Sequence, residues 1–269
     1  MLSYIIPFIF LILVVVFIHE YGHYYFAKKY GVGVTDFSIG FGQEIFGWND
    51  KSGTRWKICW IPLGGYVKFY GDRNVFSQAD QEKIIKKYNE EDRKKLFVLK
   101  PLYQRVLIVF GGPLANFLLA LVIFFSIYTF VGKDFTPAVI NEVQKDSPAM
   151  VSGLKQNDII LEIDGNKVKS ILEVSKYIMM STDEIIDFKV KRSYNELLLK
   201  VKPKIVLGED NLGNKVNKRI VGIKLGIYNN EVNHIKLGPA QSIYYAAHEV
   251  YYVSISSLKY IGAMIFGKA

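Results

Sequence analysis

His19, Glu20 and His23 stand in one short run, His19-Glu20-Tyr21-Gly22-His23, and they are the residues in this chain best placed to do chemistry. On a helix, residues four apart lie above one another on one face, so both imidazoles can meet a single metal ion, with Glu20 about 100° around the axis. Two neutral nitrogens are suited to Zn2+, which lowers the pKa of a bound water to about 7. A carboxylate beside that water can take its proton and pass it to a leaving amine. His19 and His23 are therefore candidate zinc ligands and Glu20 the candidate catalytic base. The alternative is a pair of satisfied helix histidines with a charge near an interface.

The elements that must position these residues argue for the chemistry. Residues 4–27, 106–131 and 243–266 are apolar blocks, each long enough to cross a hydrocarbon layer of about 30 Å as a helix of about 20 residues. Ionisable groups inside such a block cost several kcal/mol by some estimates and are functional by default. The first block has no basic leader and no small-residue cleavage site, so it reads as a retained span and not a cleaved signal peptide. Half the chain is hydrophobic and 22% is charged, which points to segregation of the two along the sequence. The net charge of +9 comes from Lys and Arg scattered among acids and gathered beside the apolar blocks, so membrane orientation explains it and nucleic-acid binding does not. Lys28 and Lys29 follow the first block, and Lys94, Lys95, Lys100 and Arg105 precede the second. The tendency of basic residues to stay inside then makes 28–105 cytoplasmic, the N-terminus external and 132–242 external. Cys59 is the single cysteine, so no intramolecular disulfide forms.

Between the blocks, 31–71 alternates in short runs at 56–60 and 66–70, and the Pro62-Leu63-Gly64-Gly65 break between them predicts a hairpin turn. Residues 77–96 read as an amphipathic surface helix at the membrane. Residues 132–203 read as a small α/β module with strands at 139–143, 159–163, 185–192 and 197–201 and a helix at 172–180. A linker at 208–216 and an alternating strand at 220–227 follow. In the second block, Gly111, Gly112 and Pro113 permit close helix packing, and Pro113 leaves a carbonyl near Val109 or Phe110 in need of a partner. Asn116 borders a catalytic cavity or serves as interhelical glue.

In this order, the His19–His23 run, Gly31-Val32-Gly33-Val34, Phe37-Ser38-Ile39-Gly40-Phe41-Gly42, Ile61-Pro62-Leu63-Gly64-Gly65-Tyr66-Val67-Lys68 and Gly111-Gly112-Pro113-Leu114-Ala115-Asn116 resemble the site-2 protease family of intramembrane zinc metalloproteases, peptidase family M50. The likeness is to its bacterial regulator-of-sigma-E branch. Ser147-Pro148-Ala149, Gly153-Leu154 and Asn157-Asp158-Ile159-Ile160 resemble a circularly permuted PDZ domain.

The resemblance implies a polytopic α-helical membrane protein with an inserted extracytoplasmic PDZ-like α/β domain and a membrane-associated β-hairpin region. Its segments are a first span with the zinc motif (1–30), a cytoplasmic hairpin and amphipathic region (31–100), a second span (101–132), a PDZ-like domain (133–206), a linker and strand (207–242) and a third span (243–267). It implies a multi-pass protein of the bacterial inner membrane, in contact with lipid. The implied activity is that of a zinc metalloendopeptidase that cleaves single-span membrane proteins, such as an anti-sigma factor, in regulated intramembrane proteolysis. Gly64, Gly65 and Tyr66 then help hold an extended substrate, Asn116 contacts it or its oxyanion, and the PDZ-like module takes an extracytoplasmic peptide.

In the family, a third zinc ligand comes from an aspartate in a Leu-Asp-Gly motif on a further span, and the chain stops at Ala269 before one, as a shortened form of a longer protease would. Asp164, in Ile163-Asp164-Gly165, reads as a turn in the external module and not as that ligand. His248 and Glu249 read as interfacial residues. Little or no cleavage is therefore expected of 269 residues alone. Two other functions compete: a catalytically inactive, membrane-anchored PDZ peptide-binding protein, and a transporter with a Glu-His proton relay.

Overall fold

The chemistry-bearing run lies in α1 (Leu2–Lys29), a helix of 28 residues whose last turn ends in Lys28 and Lys29, where cations offset the negative end of the helix dipole. The computed structural model describes residues 2–71, 88–209, 215–227 and 232–266. They divide into two units, Met1–Ala120 and Leu121–Ala269.

In the first unit, α1 is followed by two long antiparallel strands, β1 (Val34–Asn49) and β2 (Arg55–Phe69). Their register folds back on itself. Val34–Ile39 aligns with Phe69–Gly65, while Asp36–Ile39 also aligns with Arg55–Ile58, which in turn faces Phe46–Asn49. Two bent strands thus make a curled sheet of four segments. The bends fall at Gly40, Gly42 and Gly64, all with φ between 85° and 104°, a region that suits a residue without Cβ.

The turn is not where the sequence suggested. Residues 56–60 and 66–70 lie largely on the single strand β2, with Pro62–Gly65 as a bend inside it; Asp50–Thr54 makes the hairpin turn. Asp50 Oδ1 accepts from the backbone N–H groups of Ser52 (2.8 Å) and Thr54 (2.9 Å), and its Oδ2 accepts from Tyr24 Oη–H and Trp56 Nε1–H, both at 3.0 Å. Of the helix expected at 77–96, residues 77–87 lie outside the described residues; the rest holds one helical turn, Glu90–Arg93. The second long helix, α2 (Leu102–Ser126), passes through Pro113 unbroken and continues as a π-helical turn, Ile127–Val131. α1 and α2 touch backbone to backbone: a Cβ built on Gly111 would meet Gly22 O at 2.7 Å. Small residues let helices approach this closely.

The second unit is built on a sheet of order β9-β3-β4-β5-β6, from β3 (Ala138–Val143), β4 (Ile159–Ile163), β5 (Ile186–Arg192), β6 (Asn195–Val201) and β9 (Ile223–Ile227), with a short strand Asn166–Lys167 beside β4. Ile186, Phe188 and Val190 alternate inward along β5 and bury themselves with Ile140, Ile160 and Ile163, under α3 (Ile171–Met180) with its buried Val174. Two boundaries move. β9 belongs to this sheet, paired with β3, and not to a linker after residue 206. β7 (Lys204–Glu209) and β8 (Lys215–Ile220) form an antiparallel ribbon where 208–216 read as linker; residues 210–214 lie outside the described ones.

By length and composition, two helices among the described residues could cross a membrane, Ile5–Lys29 and Leu102–Val131. A third long helix, α4 (Pro239–Ile265), covers most of the expected third span but is not in that set. Glu249 on it pairs with Lys176 of α3 at 2.8 Å, and Tyr252 packs on the core of the α/β unit. Glu249 is thus an ion-pair partner within this unit. Asp164 is a turn residue: its carboxylate accepts from Asp187 N–H (2.8 Å) and Ser181 Oγ–H (3.0 Å).

Candidate metal centre

Four residues apart on α1, His19 and His23 turn the same edge toward α2, and their Nε2 atoms lie 3.2 Å apart. Two ligands on a tetrahedral zinc, at about 2.0–2.1 Å each, are about 3.3–3.4 Å from one another. The rings stand nearly at right angles, 79°. Opposite them is Gly112. A Cβ on that residue would fall 2.7 Å from His19 Nε2 and closer still to His23 Nε2, so the absence of a side chain leaves a cradle between the two nitrogens. Donor type, spacing and this cradle fit a zinc ion.

The facing helix supports the pair over three successive turns. Ile108, Gly112 and Asn116 are spaced by four and share one face of α2. Ile108 O lies 2.8 Å from His23 Nδ1, and Asn116 Nδ2 lies 3.2 Å from His19 Nδ1. A carbonyl on Nδ1 fixes the proton there and frees Nε2 as a ligand, the usual device for a metal-binding histidine. The carbonyl that takes this extra partner belongs to Ile108, next to the Val109 whose helical bond Pro113 removes.

Glu20 faces a different neighbour. Its Cγ lies 3.0 Å from where Gly65 would carry a Cβ, against β2. The 100° between adjacent helical residues sends the imidazoles toward α2 and the carboxylate toward the curled sheet. Of the residues singled out in the sequence, His19, His23, Gly112 and Asn116 come together, and Glu20 and Gly65 meet one step around α1. Gly64 and Tyr66 flank Gly65; Gly64 packs on Phe41, and the Tyr66 ring stacks on Phe41 at 6.1 Å. No group of three His, Cys, Asp or Glu side chains forms a metal site among the described residues. Sequence reasoning missed Ile108 as the partner of His23, an apolar residue acting through its backbone.

A sequence profile described as peptidase family M50 matches residues 7–269. This chain belongs to peptidase family M50. Among curated M50-like relatives, a candidate zinc metalloprotease of Mesorhizobium japonicum is 38% identical over 91% of this chain and 64% of its own length. One from Agrobacterium fabrum is 36% identical over 99% and 70%. Metalloprotease MmpA of Caulobacter vibrioides is 35% identical over 82% and 57%. The chain thus spans 57–70% of the length of these three relatives. Among solved structures, the PDZ domain of an SdrC-like protein from Listeria monocytogenes is 26% identical, with a TM-score of 0.27, over 34% of this chain and 88% of that one.

Proposed function

We propose that this M50 chain carries the zinc-ligand pair and the catalytic base of an intramembrane endopeptidase that cleaves single-span membrane proteins in regulated intramembrane proteolysis. The observation that carries the reading is the 3.2 Å separation of His19 and His23 Nε2 across the bare Cα of Gly112, between two helices apolar enough to lie in a bilayer. His19 and His23 would hold the metal, which supplies Lewis acidity and an acidified water when bound. Glu20 takes a proton from the attacking water and returns it to the departing nitrogen.

Substrate must arrive extended, because a helical peptide keeps its carbonyls in its own hydrogen bonds. The 61–69 segment of β2 pairs with β1 on one side and with no strand on the other among the described residues, so its edge can add an unwound substrate as one more strand. Gly65, packed on Glu20, brings that edge to the base. In the proposed topology the chain is a multi-pass protein of the bacterial inner membrane with its N-terminus outside. The 31–100 region is then cytoplasmic, and the α/β unit, external and PDZ-like, captures a peptide.

The test is metal content followed by turnover. The purified chain should hold about one zinc, lost in His19→Ala and His23→Ala and retained in Glu20→Gln. In reconstituted membranes Glu20→Gln should abolish whatever cleavage of a single-span substrate the unvaried protein shows. Undiminished cleavage by that variant would remove Glu20 from its role. Stoichiometric binding of peptide with no zinc would favour a peptide-binding module instead.

A further inference from the structure

His19 and His23 receive unequal support, and the inequality points to one side chain. His23 Nδ1 faces a backbone carbonyl, which can only accept, so its proton is fixed on Nδ1 and its Nε2 lone pair is free. His19 Nδ1 faces the carboxamide of Asn116 at 3.2 Å, with Nδ2 toward the ring. In that orientation the amide donates to Nδ1, the ring proton must sit on Nε2, and Nε2 has no lone pair to offer a metal. The same orientation leaves Asn116 Oδ1 buried with no hydrogen-bond partner among the described residues. A buried unpaired carbonyl costs on the order of 1–3 kcal/mol. Carboxamide O and N are nearly isosteric, and turning the amide over exchanges them without changing its shape.

We propose that Asn116 is a positioning residue for the metal: in the loaded centre its carboxamide is turned so that Oδ1 accepts from His19 Nδ1–H, which holds His19 as the Nε2 ligand just as Ile108 O holds His23. Asn116 then acts through His19 without touching substrate, in place of the oxyanion role considered from sequence. The register of α2 supports this assignment. Ile108 and Asn116 lie one turn to either side of Gly112, so an acceptor reaches each imidazole from the same face that leaves room for the ion. The inference rests on the metal-centre reading above and adds to it the group that sets the His19 tautomer.

The experiment compares zinc affinity across three 269-residue chains in detergent, by competition with a chromophoric chelator, with helix content checked by circular dichroism. Asn116→Leu keeps the volume and removes the acceptor; its affinity should fall by roughly tenfold to a hundredfold, the usual effect of deleting an outer-shell partner. Asn116→Asp supplies a stronger acceptor and should bind zinc at least as tightly as the unvaried chain. Nitrogen-15 NMR of the zinc-loaded chain should show His19 protonated at Nδ1, and that signal should weaken in Asn116→Leu. A packing role alone predicts the reverse order, with Leu tolerated and a charged Asp harmful. Zinc held equally by the unvaried chain and Asn116→Leu, or lost in Asn116→Asp with helix content intact, overturns the assignment of Asn116 alone. An unvaried chain that holds no zinc overturns the metal centre and this inference together.

Discussion

One methyl group is enough to test the centre at the scale of single residues. Gly112→Ala places carbon in the space between the two Nε2 atoms, 2.7 Å from that of His19, where a metal would sit. Alanine is the better helix former by up to about 1 kcal/mol, so α2 itself should stay helical, while the methyl, closer than 3.0 Å to both Nε2 atoms, forces the imidazoles out of the cradle. The expected outcome is unchanged helix content with zinc binding lost in equilibrium dialysis. Zinc retained at the unvaried affinity would show that the ion does not lie between these rings. That His19 and His23 would share one face was legible because four-residue spacing is a local property of a helix. Their partners were not: Ile108 is 85 residues from His23, and Asn116 is 97 from His19. No periodicity links positions that far apart. A signal was nonetheless present, since Gly112 and Asn116 are also spaced by four and so share a face.

At the scale of the elements, the β1–β2 hairpin depends on Asp50. Burial pushes its carboxyl up, but donors from Ser52, Trp56, Thr54 and Tyr24 outweigh this and hold it well below the usual carboxylate range. A carboxyl whose folded pKa lies below its unfolded value of about 3.9 contributes stability above that value and loses it as pH falls toward the folded one. Acid titration of the hairpin, followed by fluorescence of Trp48 and Trp56, should therefore be flat above about pH 4 and turn over below it. Asp50→Ala should loosen the turn at neutral pH, at a cost on the order of 2–4 kcal/mol for several stranded donors. A transition near neutral pH, or an identical curve for the variant, would count against the turn as described. This turn also explains the misplaced hairpin. Both Asp50–Gly53 and Pro62–Gly65 carry turn residues, but only Asp50 collects donors from α1, from its own turn and from β2. Gly64, at φ 104°, bends a strand without ending it. The alternation in β3 to β6 and β9 was readable, whereas the return of β9 to the edge of β3 is set by tertiary pairing that alternation does not encode.

The whole molecule poses the question of sides. Among the described residues two helices qualify as spans; Lys28 and Lys29 end the first, Lys94, Lys95, Lys100 and Arg105 gather at the start of the second against Lys133 after it, and in the proposed topology this excess puts the hairpin in the cytoplasm by the inside preference of Lys and Arg. The α/β unit is also rich in lysine, yet long translocated segments follow that preference weakly, so their charge does not oppose an external location. The single cysteine makes the point measurable. Cys59 is buried, with its sulfur 3.3 Å from Ser38 Oγ, and in a Cys59→Ser background any new thiol reports alone. Two exposed turn positions suit the assay: Lys51 at the hairpin tip and Tyr194 between β5 and β6, the latter 98% exposed. In spheroplasts treated with a membrane-impermeant maleimide, Tyr194→Cys should label at once and Lys51→Cys only after permeabilisation. The opposite pattern would invert the topology and place the proposed peptide-capturing unit in the cytoplasm. Labelling of both in intact cells would mean that α2 does not separate them. Either result would also bear on the metal centre, because His19 and His23 gain their functional presumption from lying inside an apolar span, where ionisable groups without a purpose are expensive to keep.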